Sequence, residues 1–189
     1  MNMSGKLQTK SISKVLVNKS TLLAVVEFLI AFGLGALAIT LHARMRMPLK
    51  MPGHHGLEFM ALLFIGRAFL KTRFSGTFFS FGTGTMLFIP FLGFSDPFAP
   101  IVYMLPGFLI DALSFTKTNI SRNIYFLSMI GGLAYAAIPV TRFFITLFTG
   151  YIYKSLAISP FFTIFSFFGF GFAGTIITLG IIKSFHKTN

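Results

Sequence analysis

Residues 21–41 read TLLAVVEFLIAFGLGALAITL. The run holds one ionisable side chain, Glu27, and is otherwise apolar or small. About 20 consecutive apolar residues are what an α-helix needs to cross the hydrocarbon core of a bilayer. The run is too long for the core of a signal peptide. Arg44, Arg46 and Lys50 follow it in place of a small-residue cleavage site. It therefore reads as a first membrane span, and the rest of the chain repeats the pattern. Further apolar stretches fall at residues 57–70, 74–94, 100–115, 123–150 and 156–182.

The composition agrees. Of the 189 residues, 54% are hydrophobic and 11% are charged, and the mean hydropathy is +0.81. A soluble domain carries about a quarter of its residues as charges. The expected fold class is all-α: a polytopic membrane protein, a bundle of about six transmembrane helices. Residues 1–20 form a basic tail, 21–182 a single membrane domain, and 183–189 a short second tail. The second and fourth spans are short. The second carries Glu58 and Arg67, the fourth Pro106-Gly107, and the fifth is expected to be interrupted at Pro139 and Arg142.

Charge gives the orientation. Six spans put both termini on one side, together with Lys6, Lys10, Lys14, Lys19, Arg67, Lys71, Arg73, Lys117, Arg122, Lys183 and Lys187. Cytoplasmic loops collect Lys and Arg, so both termini are expected in the cytoplasm of a cell (inner) membrane, with lipid as the bulk partner. The formal charge of +12 is scattered between apolar spans rather than gathered in a patch, which argues against nucleic acid. No cysteine is present, which excludes disulfides, thiolate metal sites and cysteine nucleophiles. Tryptophan is absent too, leaving Tyr103, Tyr125, Tyr151 and Tyr153 near span ends as interfacial aromatics.

The polar groups gather in one place. Residues 42–58, HARMRMPLKMPGHHGLE, join the first two spans on the expected external side, and are basic where the orientation rule predicts otherwise. Pro48 and Pro52 forbid a regular helix through the middle. His54 and His55 stand four and three residues before Glu58, the spacing of neighbours on a helix face. Three readings stand side by side. Arg44, Arg46, Lys50 and the histidines suit an anion. His42, His54, His55 and Glu58 are residue types that bind a transition metal, though an HH pair is a weak signal. The segment is also consistent with cations resting on lipid headgroups.

Ionisable residues inside spans are costly, and are paired or line a pathway. Glu27, Arg67, Asp111 and Arg142 are of this kind. The sequence suggests Asp111 with Arg142, and Glu27 or Glu58 with Arg67, as structural pairs or a proton path. Asp96, in SDPFAP, is suited to starting a turn. Glycines at 33, 35, 82, 84, 131, 132, 169, 171 and 174 suit close helix packing. No HExxH, GxSxG or phosphate-binding loop is present, so the chain is expected to be neither an ATPase nor an enzyme, with no cofactor.

Residues 96–113, DPFAPIVYMLPGFLIDAL, with Tyr103, Leu105, Pro106, Gly107 and Asp111, resemble segments of the substrate-binding (S) components of energy-coupling factor transporters. The span count and the long loop after the first span are also similar. Ala31, Gly35 and Ala38 are similar to the alanine-rich face such proteins offer a transmembrane partner. Metal-type members carry a histidine beside the initiating methionine. This chain begins MNMSGK, so the resemblance implies an organic substrate of vitamin or precursor type.

It further implies capture of a polar or anionic small molecule beneath the first loop by Arg44, Arg46, His54 and His55, with Glu58 and Tyr103 fixing orientation. A transmembrane coupling subunit and ATPase subunits would drive uptake. The alternatives are a structural or assembly subunit of a larger membrane complex, and a small membrane enzyme using the His/Arg loop.

Overall fold

The computed structural model describes residues 19–44, 51–113, 123–157 and 159–187. These form six α-helices and no strand: α1 (Lys19–Arg44), α2 (Gly56–Phe69), α3 (Ser75–Leu87), α4 (Ala99–Leu113), α5 (Ile124–Thr149) and α6 (Pro160–Lys187). Three are long and apolar enough to cross a membrane, over Ser20–Arg44, Ile124–Thr149 and Pro160–Phe185. The other three are short. At 1.5 Å per residue, α2, α3 and α4 each reach only about 20 Å. Irregular chain takes over where they stop.

Two span boundaries differ from the sequence reading, each for a local reason. The third apolar stretch ends as a helix at Leu87. A short 3-10 turn follows over Pro90–Leu92, closed by Gly93 at φ 77°. Pro90 lacks the N–H that would continue the α-helical ladder, and Gly93 takes a left-handed conformation that side chains resist. The sixth helix starts at Pro160 rather than residue 156. Proline suits a first turn, and Ser159 Oγ accepts the Phe162 N–H at 3.3 Å. The fifth helix runs unbroken through Pro139 and Arg142, from an Asn123 cap that accepts the Tyr125 N–H to Gly150 at φ 73°.

The helices close into a ring. Helix α1 packs on α3, α3 on α4, α4 on α5, α5 on α6, α6 on α2, and α2 back on α1. Helix α2 also touches α3 and α5, so its apolar face lies deepest. The core joins Phe59, Met60, Leu63 and Phe64 of α2 to Phe79 of α3, Val102 and Ile110 of α4, Tyr135 and Ile138 of α5, and Phe167 of α6. The outer surface is apolar as well. Leu22, Leu29, Phe148, Phe161 and Phe165 all lie more than half exposed. Continuous apolar surface of this kind on a soluble protein would be an aggregation hazard, whereas in lipid it is the solvated face.

Glycines set the tightest crossing. A Cβ on Gly35 would stand 2.9 Å from the carbonyl carbon of Phe79, and one on Gly82 would stand 2.8 Å from that of Phe32. The α1 and α3 backbones thus touch each other. Gly33 has nothing near its Cβ position and faces outward. Ala31, Gly35 and Ala38 are buried, so the small-residue face likened to a partner-docking face is used within the chain, chiefly against α3.

The ion pairs also differ from the sequence-based pairing. Asp111 pairs with Arg67, and also accepts the N–H groups of Gly76 at 3.2 Å and Thr77 at 2.6 Å. One carboxylate from α4 therefore caps the start of α3, where unpaired backbone donors and the helix dipole favour an anion. Arg142 cannot reach it. Helix α5 starts at the end of the bundle where Asp111 sits, and Arg142 lies 18 residues further on, roughly 27 Å along the axis. Glu58 and Arg67 are nine residues apart on one helix and cannot meet. Glu27, 8% exposed, accepts the backbone N–H of Lys71 at 3.0 Å.

Candidate functional site

The opposite end of the bundle gathers the last turn of α1, the first turns of α2 and α4, and the last two turns of α5. Irregular segments 51–55, 88–98 and 150–157 complete it. Irregular backbone at membrane depth is tolerated where it is buried in protein. Segment 51–55 is packed down on the helices. Ser166 Oγ of α6 donates to the Pro52 carbonyl at 2.6 Å. Gly53, at φ 83°, is so close to Phe167 that a Cβ would collide with the ring. Gly56 is pressed in the same way on Tyr135. Each glycine lets the turn sit on an aromatic ring.

This turn brings its two histidines together with His42 of α1 and Glu58 of α2. His54 Nδ1 lies 2.6 Å from the Met51 carbonyl and so carries a proton. His55 Nδ1 donates to Glu58 Oε1 at 2.5 Å, the three-residue spacing that the sequence offers. The His54 and His55 rings are 4.0 Å apart, and His42 from α1 lies 4.2 Å from His55. Phe94 also stacks on His42, at 5.7 Å. Tyr103 of α4, 4% exposed, brings its hydroxyl to 3.4 Å from His42 Nε2. Tyr103 is thus an interior residue of this cluster and not an interfacial one.

The cluster continues into two charges that the sequence did not place here. The Arg142 guanidinium lies 5.4 Å from the centre of the Tyr103 ring and 5.1 Å from that of Tyr153, within cation–π range. Its partner is Asp96, at 3.5 Å. Asp96 opens a turn as expected, accepting the Phe98 N–H at 2.9 Å, and it also accepts the Tyr153 hydroxyl at 3.2 Å. Burial, then the Asp96 charge, push the Tyr153 phenol up to about 12.

Two polar atoms of the cluster are left over. Glu58 Oε2 and Arg142 Nε are buried with no hydrogen-bond partner among the described residues. Such atoms cost about 1–3 kcal/mol each, more when charged, and call for an explanation. They lie at the two ends of a connected path: Glu58, His55, His42, Tyr103, Arg142. Comparisons with protein-family models, with characterised proteins and with solved structures found no match. The functional reading rests on this geometry.

Of the sequence-predicted ligand set, His54, His55, Glu58 and Tyr103 come together. Arg44 is exposed at the end of α1, and Arg46 lies outside the described residues, as does Lys50. Among the described residues no group of three or more His, Asp or Glu is arranged to hold a metal ion. The polar residues that the sequence assigns to spans divide: Arg142 joins the cluster, while Glu27, Arg67 and Asp111 tie helices at the far end. Asp96, Tyr153 and Phe94 were missed. The available signal was an acid just before the start of one helix and a base two turns inside the end of the next, both at the same end of the bundle. A groove of about 670 Å³ between α2 and α6, lined by Ala61, Ile65, Phe69, Ile177 and Phe185, is apolar and opens on the outer surface, and offers no comparable chemistry.

Proposed function

We propose that the chain is a membrane-embedded capture subunit that binds a small polar or anionic molecule at the end of the bundle built by His42, His55, Glu58, Tyr103 and Arg142. The observation that carries this reading is the pair of buried, unmatched atoms, Glu58 Oε2 and Arg142 Nε. A purely structural cluster would satisfy its charged groups internally, as Asp111 does with three donors at the other end. The packed turn over residues 51–55 supports the same reading, because it roofs the cluster from the membrane surface.

In this reading all six helices belong to one membrane domain, three of them short, with both termini cytoplasmic and the cluster facing outward. The protein is a multi-pass component of a cell (inner) membrane, of the substrate-binding type of energy-coupling factor transporters. It carries no phosphate-binding loop, so separate ATPase subunits and a transmembrane coupling subunit supply the energy.

The test is mass spectrometry of small molecules released from the purified protein. The wild type is expected to carry one, and monodisperse Glu58→Gln and Arg142→Lys preparations are expected to carry little. An empty wild type, or equal retention by both variants, contradicts the proposal. An assembly subunit would instead co-purify with partner chains and no small molecule.

A further inference from the structure

We infer that the groove between the start of α5 and the end of α6 binds an anionic phospholipid, with the headgroup phosphate on Asn123, Tyr125 and Lys183 and an acyl chain across Gly180. Such a site requires only that the chain sits in lipid, and holds whether or not the histidine cluster captures a ligand.

The groove lies at the end of the bundle away from that cluster. Its volume is about 590 Å³, and it is lined by Asn123, Ile124, Tyr125, Ile176, Gly180 and Lys183. The three polar side chains are exposed and offer donors. Asn123 spends its side-chain oxygen on the Tyr125 N–H at 2.9 Å, which leaves its amide hydrogens to offer. The Lys183 ammonium can only donate, and the Tyr125 hydroxyl can donate beside it.

No carboxylate of the chain answers Lys183. The chain has 4 acidic residues against 16 basic ones. Glu58 and Asp96 belong to the opposite end. Asp111 is matched by Arg67, and Glu27 accepts the Lys71 N–H. Among the described residues Lys183 forms no ion pair. Its counter-charge is left to the surroundings, and basic pockets between membrane helices take anionic headgroups.

The floor of the groove chooses among anions. Ile124 and Ile176 are apolar, and Gly180 is a notch: nothing lies within 4 Å of its Cβ position. From Gly180 the depression continues over Ile177, Ile181 and Phe185 on the outer face of α6. Ile176 stands seven residues before Lys183, roughly 10 Å further along the axis toward the middle of the bundle. Donors and a cation at the mouth, with an apolar trough running inward from them, match a phosphate with an acyl chain below it. A free phosphate would use the mouth alone. A neighbouring apolar helix would bury Lys183 without a counter-charge, which is costly.

The test is native mass spectrometry of the full-length protein in detergent, given equal amounts of phosphatidylglycerol and phosphatidylcholine with the same acyl chains. The wild type is expected to retain phosphatidylglycerol over phosphatidylcholine by about fivefold or more, the contribution of one surface cation. Lys183→Gln is expected to lower that ratio about fivefold. Arg73→Gln, which removes an exposed cation from the α2–α3 connection, is expected to leave it unchanged. Gly180→Phe places its ring in open space, and is expected to lower retention of both lipids without lowering the unfolding temperature.

An equal fall in the ratio for Arg73→Gln and Lys183→Gln would mean a diffuse charge effect and overturn the site. Competition by glycerol 3-phosphate as strong as by phosphatidylglycerol would make it a site for free anions and overturn it as well. So would a wild-type dimer that Gly180→Phe breaks while lipid retention stays the same.

Discussion

Replacing Gly35 with alanine adds one methyl group where the α1 and α3 backbones touch. The new Cβ would stand 2.9 Å from the Phe79 carbonyl carbon and 3.1 Å from Thr83 N, and closer still to Phe79 O. Relaxed carbon contacts lie at about 3.5–4.0 Å, so the helices must part by roughly 1 Å. The obstacle is backbone, which no rotamer change can move aside. Overpacking of this kind costs about 1–3 kcal/mol and sometimes more, and separating the helices also loosens the Gly82 contact on Phe32. Against this, Gly→Ala in a helix gains about 1 kcal/mol of propensity. The net expectation is a loss of about 1 kcal/mol and up to about 2, or a fall of about 2–4 °C and up to about 8 °C in unfolding temperature for a chain of this size.

Gly33 supplies the control, because nothing lies near its Cβ position. Gly33→Ala should gain only the propensity term and leave stability unchanged or raised by up to about 1 kcal/mol. Thermal unfolding in one detergent, followed by circular dichroism, compares the two variants. The same crossing holds the end of α1, and with it His42, against segment 88–98, so Gly35→Ala should also weaken ligand retention. Equal stability of the two alanine variants, or a more stable Gly35→Ala, would refute the packing argument.

Three further outcomes follow from the charged groups. Asp111→Ala strands the Arg67 guanidinium and two α3 N–H groups; it should cost about 3–5 kcal/mol, and Arg67→Met with Asp111→Leu together should cost less than Asp111→Leu alone. Tyr153 is a phenol held neutral by burial and by Asp96. Its contribution to stability is full below the usual phenol value of about 10, and is lost as pH rises through about 12. An alkaline absorbance titration of Tyr153→Phe should therefore lack one tyrosine whose ionisation in the wild type is delayed to about 12. Asp96→Asn should lower the pH at which that phenol ionises and weaken ligand retention, because it removes the counter-charge of Arg142.

The sequence exposed the fold unevenly, for physical reasons. Residues 21–41 and 123–150 are long apolar runs, and their helices lie where length puts them, but the fifth runs unbroken through Pro139 and Arg142 where an interruption was expected. Residues 74–94 are equally apolar, but Pro90 and Gly93 end the helix early, and apolarity alone says nothing about backbone continuity. Helix α1 is apolar all round, so no pattern told Gly33, which faces out, from Gly35, which faces α3. The ion pairs depended on depth. Asp111 and Arg142 carry opposite charges on adjacent spans but lie at opposite ends of the bundle.

The site was half legible. His54, His55 and Glu58 are close in sequence, and a turn followed by a helix brings them together. Arg142 and Asp96 are 46 residues apart, and meet because segment 88–98 folds back over the end of the bundle. Tyr103 was found through its motif, but its role as the link between His42 and Arg142 needed the structure.

The absence of cysteine allows the central claim to be tested by single-cysteine labelling. His54→Cys sits on the turn over the cluster, and Lys183→Cys sits at the far end of α6. Intact cells are treated with a membrane-impermeant maleimide, with and without the dialysable small-molecule fraction of a cell extract. The account predicts that His54→Cys labels from outside, that the small-molecule fraction slows this labelling, and that Lys183→Cys labels only after the cells are opened. External labelling of Lys183→Cys with His54→Cys silent, or labelling of His54→Cys that ignores the small-molecule fraction, would contradict it.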